Sequence, residues 1–154
     1  MSVIASNMIS KEIIGKELRP YNFEVERGKI IEFCRAIGET NPIYLDPVFA
    51  KEHGYPDTPI PPTFQTVFQF WGYTHLWDDM RALGIDTNRL LHLKEEYTYL
   101  KPIFPGDKIH AKGIVSDVKT GKMDLVTFKT VYSVNQQPCI EASMTIFIRP
   151  ETAV

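Results

Sequence analysis

The last third of the chain alternates between apolar and polar residues, a pattern that is typical of half-buried β-strands. In segment 139–149 every even position from Ile140 to Ile148 is apolar, and most odd positions are polar. Segments 89–102, 107–118 and 123–135 are also rich in β-branched and aromatic residues, with turn signals at 105–107, 120–122 and 136–138. The pattern predicts four antiparallel strands in meander order.

Two earlier segments have the period of amphipathic helices. From Arg27 to Ile37 apolar residues recur at every third or fourth position, and Gly38 can end this helix. Asp46 and Pro47 can begin a second, short helix that runs to about His53. The aspartate side chain can accept free N–H groups of the first turn, and the proline needs no hydrogen bond at its position.

The segment from Thr63 to about Leu83 predicts one long helix. Its apolar residues spread around most of the circumference, which indicates that the helix is buried. Near the start of the chain, Ser10 can cap a short turn over residues 11–14. Pro20 interrupts the extended segment that follows and limits it to an edge strand.

A sheet with one apolar face must be covered, and helix 63–83 is the only element that is long and apolar enough to cover it. We therefore expect an α+β fold in which an antiparallel sheet wraps around a long central helix. Residues 1–154 are expected to form a single domain.

Composition and charge narrow the classes of function. Hydrophobic residues make up 44% of the chain and charged residues 23%, as in ordinary folded proteins. The net charge is -2 with no basic face, which argues against binding to nucleic acid or to a membrane surface. The first ten residues lack the pattern of a secretion signal, and no segment is apolar enough to span a bilayer, so we expect a cytoplasmic protein.

The cysteines and histidines give no sign of a metal site. Cys34 and Cys139 are expected to be reduced and buried, because the chain has no secretion signal. His53, His75 and His110 have neither cysteine nor acidic partners at ligand spacing. We therefore expect neither a metal nor a cofactor.

Three stretches carry a resemblance to a known family: AIGETNPIYLDPVFAKEHGY, IPPTFQ and EYTYLKPIFPGDKI. In this order they resemble the MaoC-like dehydratases, and especially their FAS-type N-terminal hot-dog domains. The resemblance implies the hot-dog fold and a surface that binds an acyl-CoA or an acyl-carrier-protein thioester.

Active members of that family resemble G-D-x-N-P-I-H, in which the aspartate and the histidine perform the acid and base chemistry. The resemblance places the aspartate at Glu39 and the histidine at Tyr44. Glutamate keeps the carboxylate but moves it by one methylene. Tyrosine is a poor base at neutral pH, because its ordinary pKa of about 10 is far above the value of about 6.5 for histidine.

A third position that the family uses is also altered. Active relatives place a glycine at the start of the central helix, where its backbone N–H stabilises the thioester oxyanion. That position corresponds to Pro62, which has no N–H to donate. If the correspondence is shifted by one residue, Thr63 supplies the donor instead.

The resemblance therefore implies two functions of different class. In the first, the protein is an acyl-binding subunit that dimerises with itself or with a hot-dog protein carrying the Asp/His dyad. The second is an autonomous (R)-specific enoyl-CoA hydratase or dehydratase that uses Glu39 with Tyr44 or His92. A thioesterase on the same fold is a more distant third.

Several candidate residues have a structural interpretation beside the functional one. Asn41 either shapes its turn or contacts substrate, and His92 is either a packing residue or a base. The resemblance implies that Phe64 and Phe68 line an acyl tunnel, although both residues are also suited to the core. The predicted substrate-binding set is Asn41, Pro62, Thr63, Phe64 and Phe68.

Overall fold

The computed structural model describes residues 9–150, which form a five-stranded antiparallel sheet and short helices. Residues 1–8, which carry most of the segment judged for a secretion signal, and residues 151–154 lie outside the described part. The strands are β1 Tyr21–Glu24, β2 Leu90–Tyr99, β3 Lys108–Lys119, β4 Asp124–Val134 and β5 Gln137–Ile148. The helices are α1 Arg27–Ile37, α2 Pro47–Glu52, α3 Gln65–Val67 and α4 Leu76–Ala82, with 3-10 turns at Lys11–Ile13 and Pro42–Tyr44.

The strand order in the sheet is β1-β3-β4-β5-β2. Strands β3, β4 and β5 form the predicted meander, and β1 lies at one edge as predicted. The predicted meander order is wrong for β2, which pairs with β5 and forms the other edge. Residues 100–107 are an irregular connection instead of a tight turn, and the backbone N–H groups of Leu100 and Lys101 donate to the carbonyl of Cys139 at 2.8 and 3.1 Å. These bonds hold the end of β2 beside the start of β5.

The first two helices agree with the sequence prediction. Helix α1 ends at Gly38, whose φ of 72° is the left-handed conformation that glycine adopts without strain. Helix α2 begins at Pro47, and the Asp46 side chain accepts the N–H groups of Val48 and Phe49 at 2.8 and 3.3 Å. Local signals were sufficient here, because both caps are formed by residues next to the helix.

The predicted long helix over 63–83 is broken, and this prediction is wrong. Helix α3 continues into a π-helical turn over Phe68–Gly72, the chain leaves the helix at Tyr73, and α4 begins at Leu76. Gly72 lies against β1, where a Cβ atom would come within 3.0 Å of the Phe23 ring. The Tyr73 ring stacks on Tyr21 at 4.7 Å between centroids. Contacts with β1 therefore outweigh the continuity of the helix.

The central helical segment is also less buried than the sequence pattern indicated. Phe70, Trp71 and Trp77 are 48, 69 and 45% exposed. The sheet covers one side of the segment, and these three rings lie on the other. Lys29 Nζ lies 4.7 Å from the centre of the Trp71 ring, a cation–π contact that partly covers it.

The inner face of the sheet packs on the buried side of this helical segment. Phe68 is fully buried at its centre and contacts the rings of Phe23 and Tyr132. Cys34 and Cys139 are both buried and free, as predicted. Among residues 9–150, no helix combines the length and apolar character needed to cross a membrane.

Candidate functional site

The loop that follows α1 is shaped by hydrogen bonds from its own side chains. A Glu39 carboxylate oxygen accepts the backbone N–H of Asn41 at 2.8 Å. The side-chain oxygen of Asn41 accepts the N–H of Ile43 at 3.1 Å and caps the 3-10 turn at Pro42–Tyr44. Glu39 and Asn41 therefore both hold the turn that positions Tyr44.

Tyr44 is half-buried beneath this loop and packs against the core. Burial raises the pKa of its hydroxyl, and the negative charge of Glu39 raises it further. The phenol is therefore neutral at physiological pH. In this state it can donate or accept a hydrogen bond but cannot act as a strong base.

A cleft of about 320 Å³ lies between this loop, the proline-rich loop after α2 and the end of β2. It is lined by Tyr44, Tyr55, Pro59, Ile60, Pro61, Pro62, Tyr99, Leu100, Lys101, Pro102, Ile103 and Ile140. The Tyr99 hydroxyl donates to the carbonyl of Pro62 at 2.5 Å, which joins the loop to β2 across the cleft. Of the predicted site residues, Tyr44 and Pro62 line this cleft.

Pro62 and Thr63 are exposed in the turn that leads into α3. Pro62 offers no N–H, whereas the backbone N–H of Thr63 has no acceptor among residues 9–150. It is therefore free to bind a ligand oxygen. Phe64 and Phe68 follow on the buried side, fully enclosed and 5.5 Å apart in an edge-to-face contact.

His92 lies away from the cleft, on the edge strand β2. A β-bulge at residues 92–94 shifts the strand register by one position, so that His92 and Glu95 share one face of the sheet. His92 Nε2 is 3.7 Å from Glu95 Oε1, and the His92 side chain is 45% exposed. Among residues 9–150, no ion pair joins Glu39 to a histidine.

A second, smaller cavity lies between the central helical segment and the sheet. Its volume of about 30 Å³ is enough for one or two water molecules. Its polar lining includes the side chains of Gln69, Glu95, Tyr97 and Tyr132. Burial raises the pKa of Tyr132 to about 12, so its hydroxyl also stays protonated.

The sequence analysis missed Tyr55, Tyr99 and Lys101, which line the cleft. Tyr99 belongs to the E-Y-T-Y stretch of β2, in which alternate residues face the same side of the sheet. That alternation could have marked it as a surface aromatic residue. Its place in the cleft depends on β2 reaching the proline-rich loop, which no local pattern encodes. Among residues 9–150, no group of three potential metal ligands converges.

Comparisons with known proteins agree with this architecture. A family model for the FAS1-like dehydratase domain region matches residues 12–141. The UPF0336 protein of Saccharopolyspora erythraea is 33% identical over 144 residues, which cover 92% of each chain.

Two solved structures share the fold. One is the HadBC (3R-hydroxyacyl-ACP dehydratase) complex from Mycobacterium tuberculosis, with a TM-score of 0.75 and 24% identity over 88% of this chain and 96% of that one. The other is a MaoC-like dehydratase, with a TM-score of 0.79 and 18% identity over 89% of this chain and 42% of that one.

The sheet wrapped on a central helical segment is therefore the hot-dog fold of the MaoC-like proteins. More narrowly, the chain belongs to the FAS1-like dehydratase-domain family.

Proposed function

We propose that this protein is the acyl-binding subunit of an enoyl-thioester hydratase or 3-hydroxyacyl-thioester dehydratase, and that a dyad-bearing hot-dog partner supplies the acid and base. The proposal rests on the hydrogen bonding and protonation of Glu39 and Tyr44, the two residues that correspond to the dyad. The Glu39 carboxylate accepts the N–H of Asn41 at 2.8 Å, and Tyr44 is a neutral phenol. The phenol keeps its proton at neutral pH and so is not suited to act as a base, and the Glu39 carboxylate is engaged in holding its own loop.

The cleft supports the acyl-binding part of the proposal. Its prolines and tyrosines offer apolar surface to an acyl thioester. Thr63 follows Pro62, which lines the cleft, and its backbone N–H, which has no acceptor among residues 9–150, can donate to the thioester carbonyl. Lys101 also lines the cleft, and its charge can attract the phosphates of CoA or of a carrier-protein arm.

The edge strand β2 supports the part of the proposal that concerns a partner. Within residues 9–150, strand β2 pairs with β5 alone and has no strand on its other side. It also exposes Leu91 and Leu93 by 45 and 58%. An open strand with exposed apolar residues is a ready site for pairing with another chain. The HadBC structure, which this chain resembles in fold, is itself a complex.

The test is a hydration assay with crotonyl-CoA and longer enoyl-CoAs. The purified protein alone is expected to be inactive. Activity is expected when it is mixed with a hot-dog protein that carries G-D-x-x-P-x-H, encoded beside it in the same genome.

Glu39→Gln in this chain is expected to leave the activity of the mixture within about twofold, because Glu39 is not the base. Glu52→Gln, a change of the same kind on the surface of α2, serves as the matched control. Hydration by the protein alone that disappears in Glu39→Gln but not in Glu52→Gln would overturn the proposal in favour of an autonomous enzyme.

A further inference from the structure

Gln65 is a buried polar residue that the cleft and the dyad positions do not explain. Gln65 is only 1% exposed, and neither the nitrogen nor the oxygen of its carboxamide has a hydrogen-bond partner among residues 9–150. Leaving both atoms of a buried carboxamide unpaired destabilises a fold, and native proteins rarely do so without a functional reason. Gln69, one turn further along, donates to the Met144 sulfur at 3.2 Å.

In the chain, Gln65 lies between residues that line the cleft and a residue that lines the inner cavity. On the helix side, Pro61 and Pro62 line the cleft, and Gln69 lines the cavity. Gln65 is four residues before Gln69 and therefore lies on the same side of the helical segment, the side that faces β5.

On the sheet, too, residues that line the cleft are followed by residues that line the cavity. The registered pair Tyr99 and Ile140 lines the cleft, and the next pair on that face, Tyr97 and Ala142, lines the cavity. An acyl chain that extended from the cleft to the cavity along β2 and β5 would run along the side of the helical segment that carries Gln65.

We propose that Gln65 is a specificity-determining residue that binds the 3-hydroxyl of a short 3-hydroxyacyl thioester. This inference rests on the proposed function, because it takes the cleft as the site of the thioester. With the thioester carbonyl in the cleft, the first polar group further along the acyl chain is the substituent on C3.

A hydroxyl matches Gln65 better than a second carbonyl does. The carboxamide has an unpaired donor and an unpaired acceptor, and a hydroxyl can accept from the one and donate to the other. A carbonyl can only accept and would leave the Gln65 oxygen unpaired. The inner cavity, of about 30 Å³, admits only a short continuation of the acyl chain.

The test compares two ligands that differ by one hydroxyl, (R)-3-hydroxybutyryl-CoA and butyryl-CoA, by isothermal titration calorimetry. The protein is used alone and, in parallel, mixed with its dyad-bearing partner. We expect the protein to bind the hydroxylated ligand about tenfold more tightly, because one buried hydrogen-bonded group distinguishes the two.

Gln65→Met keeps the size and flexibility of the side chain but removes both polar atoms, and it is expected to abolish the preference. The melting temperature of Gln65→Met is expected to be unchanged or higher, because an unpaired carboxamide leaves the core. Thr66→Val, the loss of a polar group at the next position, is the control and is expected to keep the preference.

The outcomes separate this inference from the proposed function. If neither ligand binds, alone or with the partner, both the acyl-binding role and the assignment of Gln65 are wrong. If both ligands bind with equal affinity to the unaltered protein, the cleft binds acyl thioesters but Gln65 does not recognise the hydroxyl. A preference that survives in Gln65→Met likewise overturns the assignment while leaving the proposed function intact.

Discussion

Glu39 and Tyr44 are coupled within the loop that follows α1. The Glu39 carboxylate holds the backbone of its own loop, and the Tyr44 phenol lies half-buried beneath it. Burial disfavours the charged phenolate, and a nearby carboxylate disfavours it further. The pair is thus arranged to keep the Tyr44 proton in place.

Replacing Glu39 by glutamine tests this electrostatic coupling. We expect the pKa of Tyr44 to fall towards the ordinary tyrosine value but to stay above it, because burial, the larger cause, is unchanged. The measurement is an NMR titration of protein labelled at the tyrosine ring carbons. Glu52→Gln is the control, since that carboxylate is not among the causes of the shift. An unchanged pKa of Tyr44 in Glu39→Gln would show that the two groups are not coupled.

The sequence predicted Tyr44 and Pro62 as site residues because each occupies a fixed position in a recognisable motif. Gln65 lies in the same IPPTFQ stretch, but the sequence alone does not distinguish it from an exposed glutamine. Its significance comes from burial without a partner, which depends on how α3 packs on the sheet. That packing is a property of the tertiary structure, and no local pattern reports it.

At the scale of elements, the junction between the π-helical turn and α4 is held by a polar cluster. The hydroxyl of Tyr73 donates to Asp79, and Arg19 Nε donates to the same carboxylate at 2.7 Å. Burial alone would raise the pKa of Asp79, but the hydrogen bonds from Arg19 and Tyr73 together outweigh it and lower this pKa. The cluster joins the segment before β1 to the helix that follows the break.

Asp79→Asn is expected to lower the free energy of unfolding at pH 7 by about 1–2 kcal/mol, because the buried Tyr73 hydroxyl loses a charged acceptor. Since the pKa of Asp79 is lowered in the folded state, its contribution is complete above the unfolded pKa of about 4 and is lost as the pH falls through the folded pKa. The difference between the two proteins should therefore shrink below about pH 4.

Urea unfolding followed by circular dichroism at pH 7 and pH 3 measures this difference. The control is Asp78→Asn, the loss of a neighbouring carboxylate that is 64% exposed and pairs with Arg81 on the surface. It should change stability little at either pH. An equal loss for Asp79→Asn at both pH values would show that its charge does not stabilise the junction.

The elements that the sequence predicted well are those encoded by neighbouring residues. Helix α1 ends where Gly38 allows it, α2 begins at its aspartate cap, and β5 follows its alternating pattern. The prediction of one long helix was wrong because the break depends on the contact of Gly72 with β1, which lies more than 40 residues earlier in the chain. The predicted position of β2 in the sheet was wrong for a similar reason. Residues 100–107 form an irregular connection instead of a tight turn, and β2 pairs with β5 instead of β3.

For the whole molecule, the open edge and the cleft lie at the same side of the sheet. Strand β2 forms that edge, and its last residue, Tyr99, lines the cleft together with Leu100 and Lys101. A partner paired along β2 would therefore stand beside the cleft, where its acid and base could reach a thioester held there. The location of the edge thus links assembly to the proposed division of labour.

A charge placed on this edge should oppose assembly. Leu93→Lys replaces an exposed apolar residue at the bulge of β2, and we expect it to weaken association with the dyad-bearing partner at least tenfold, because a lysine would have to be buried or displaced. Light scattering after size-exclusion chromatography measures the association, and circular dichroism checks the fold. Ile114→Lys adds the same charge to β3, which β4 and β5 separate from β2, and should leave association unchanged. If instead Ile114→Lys disrupts the complex and Leu93→Lys does not, the partner binds the outer face of the sheet and not its β2 edge.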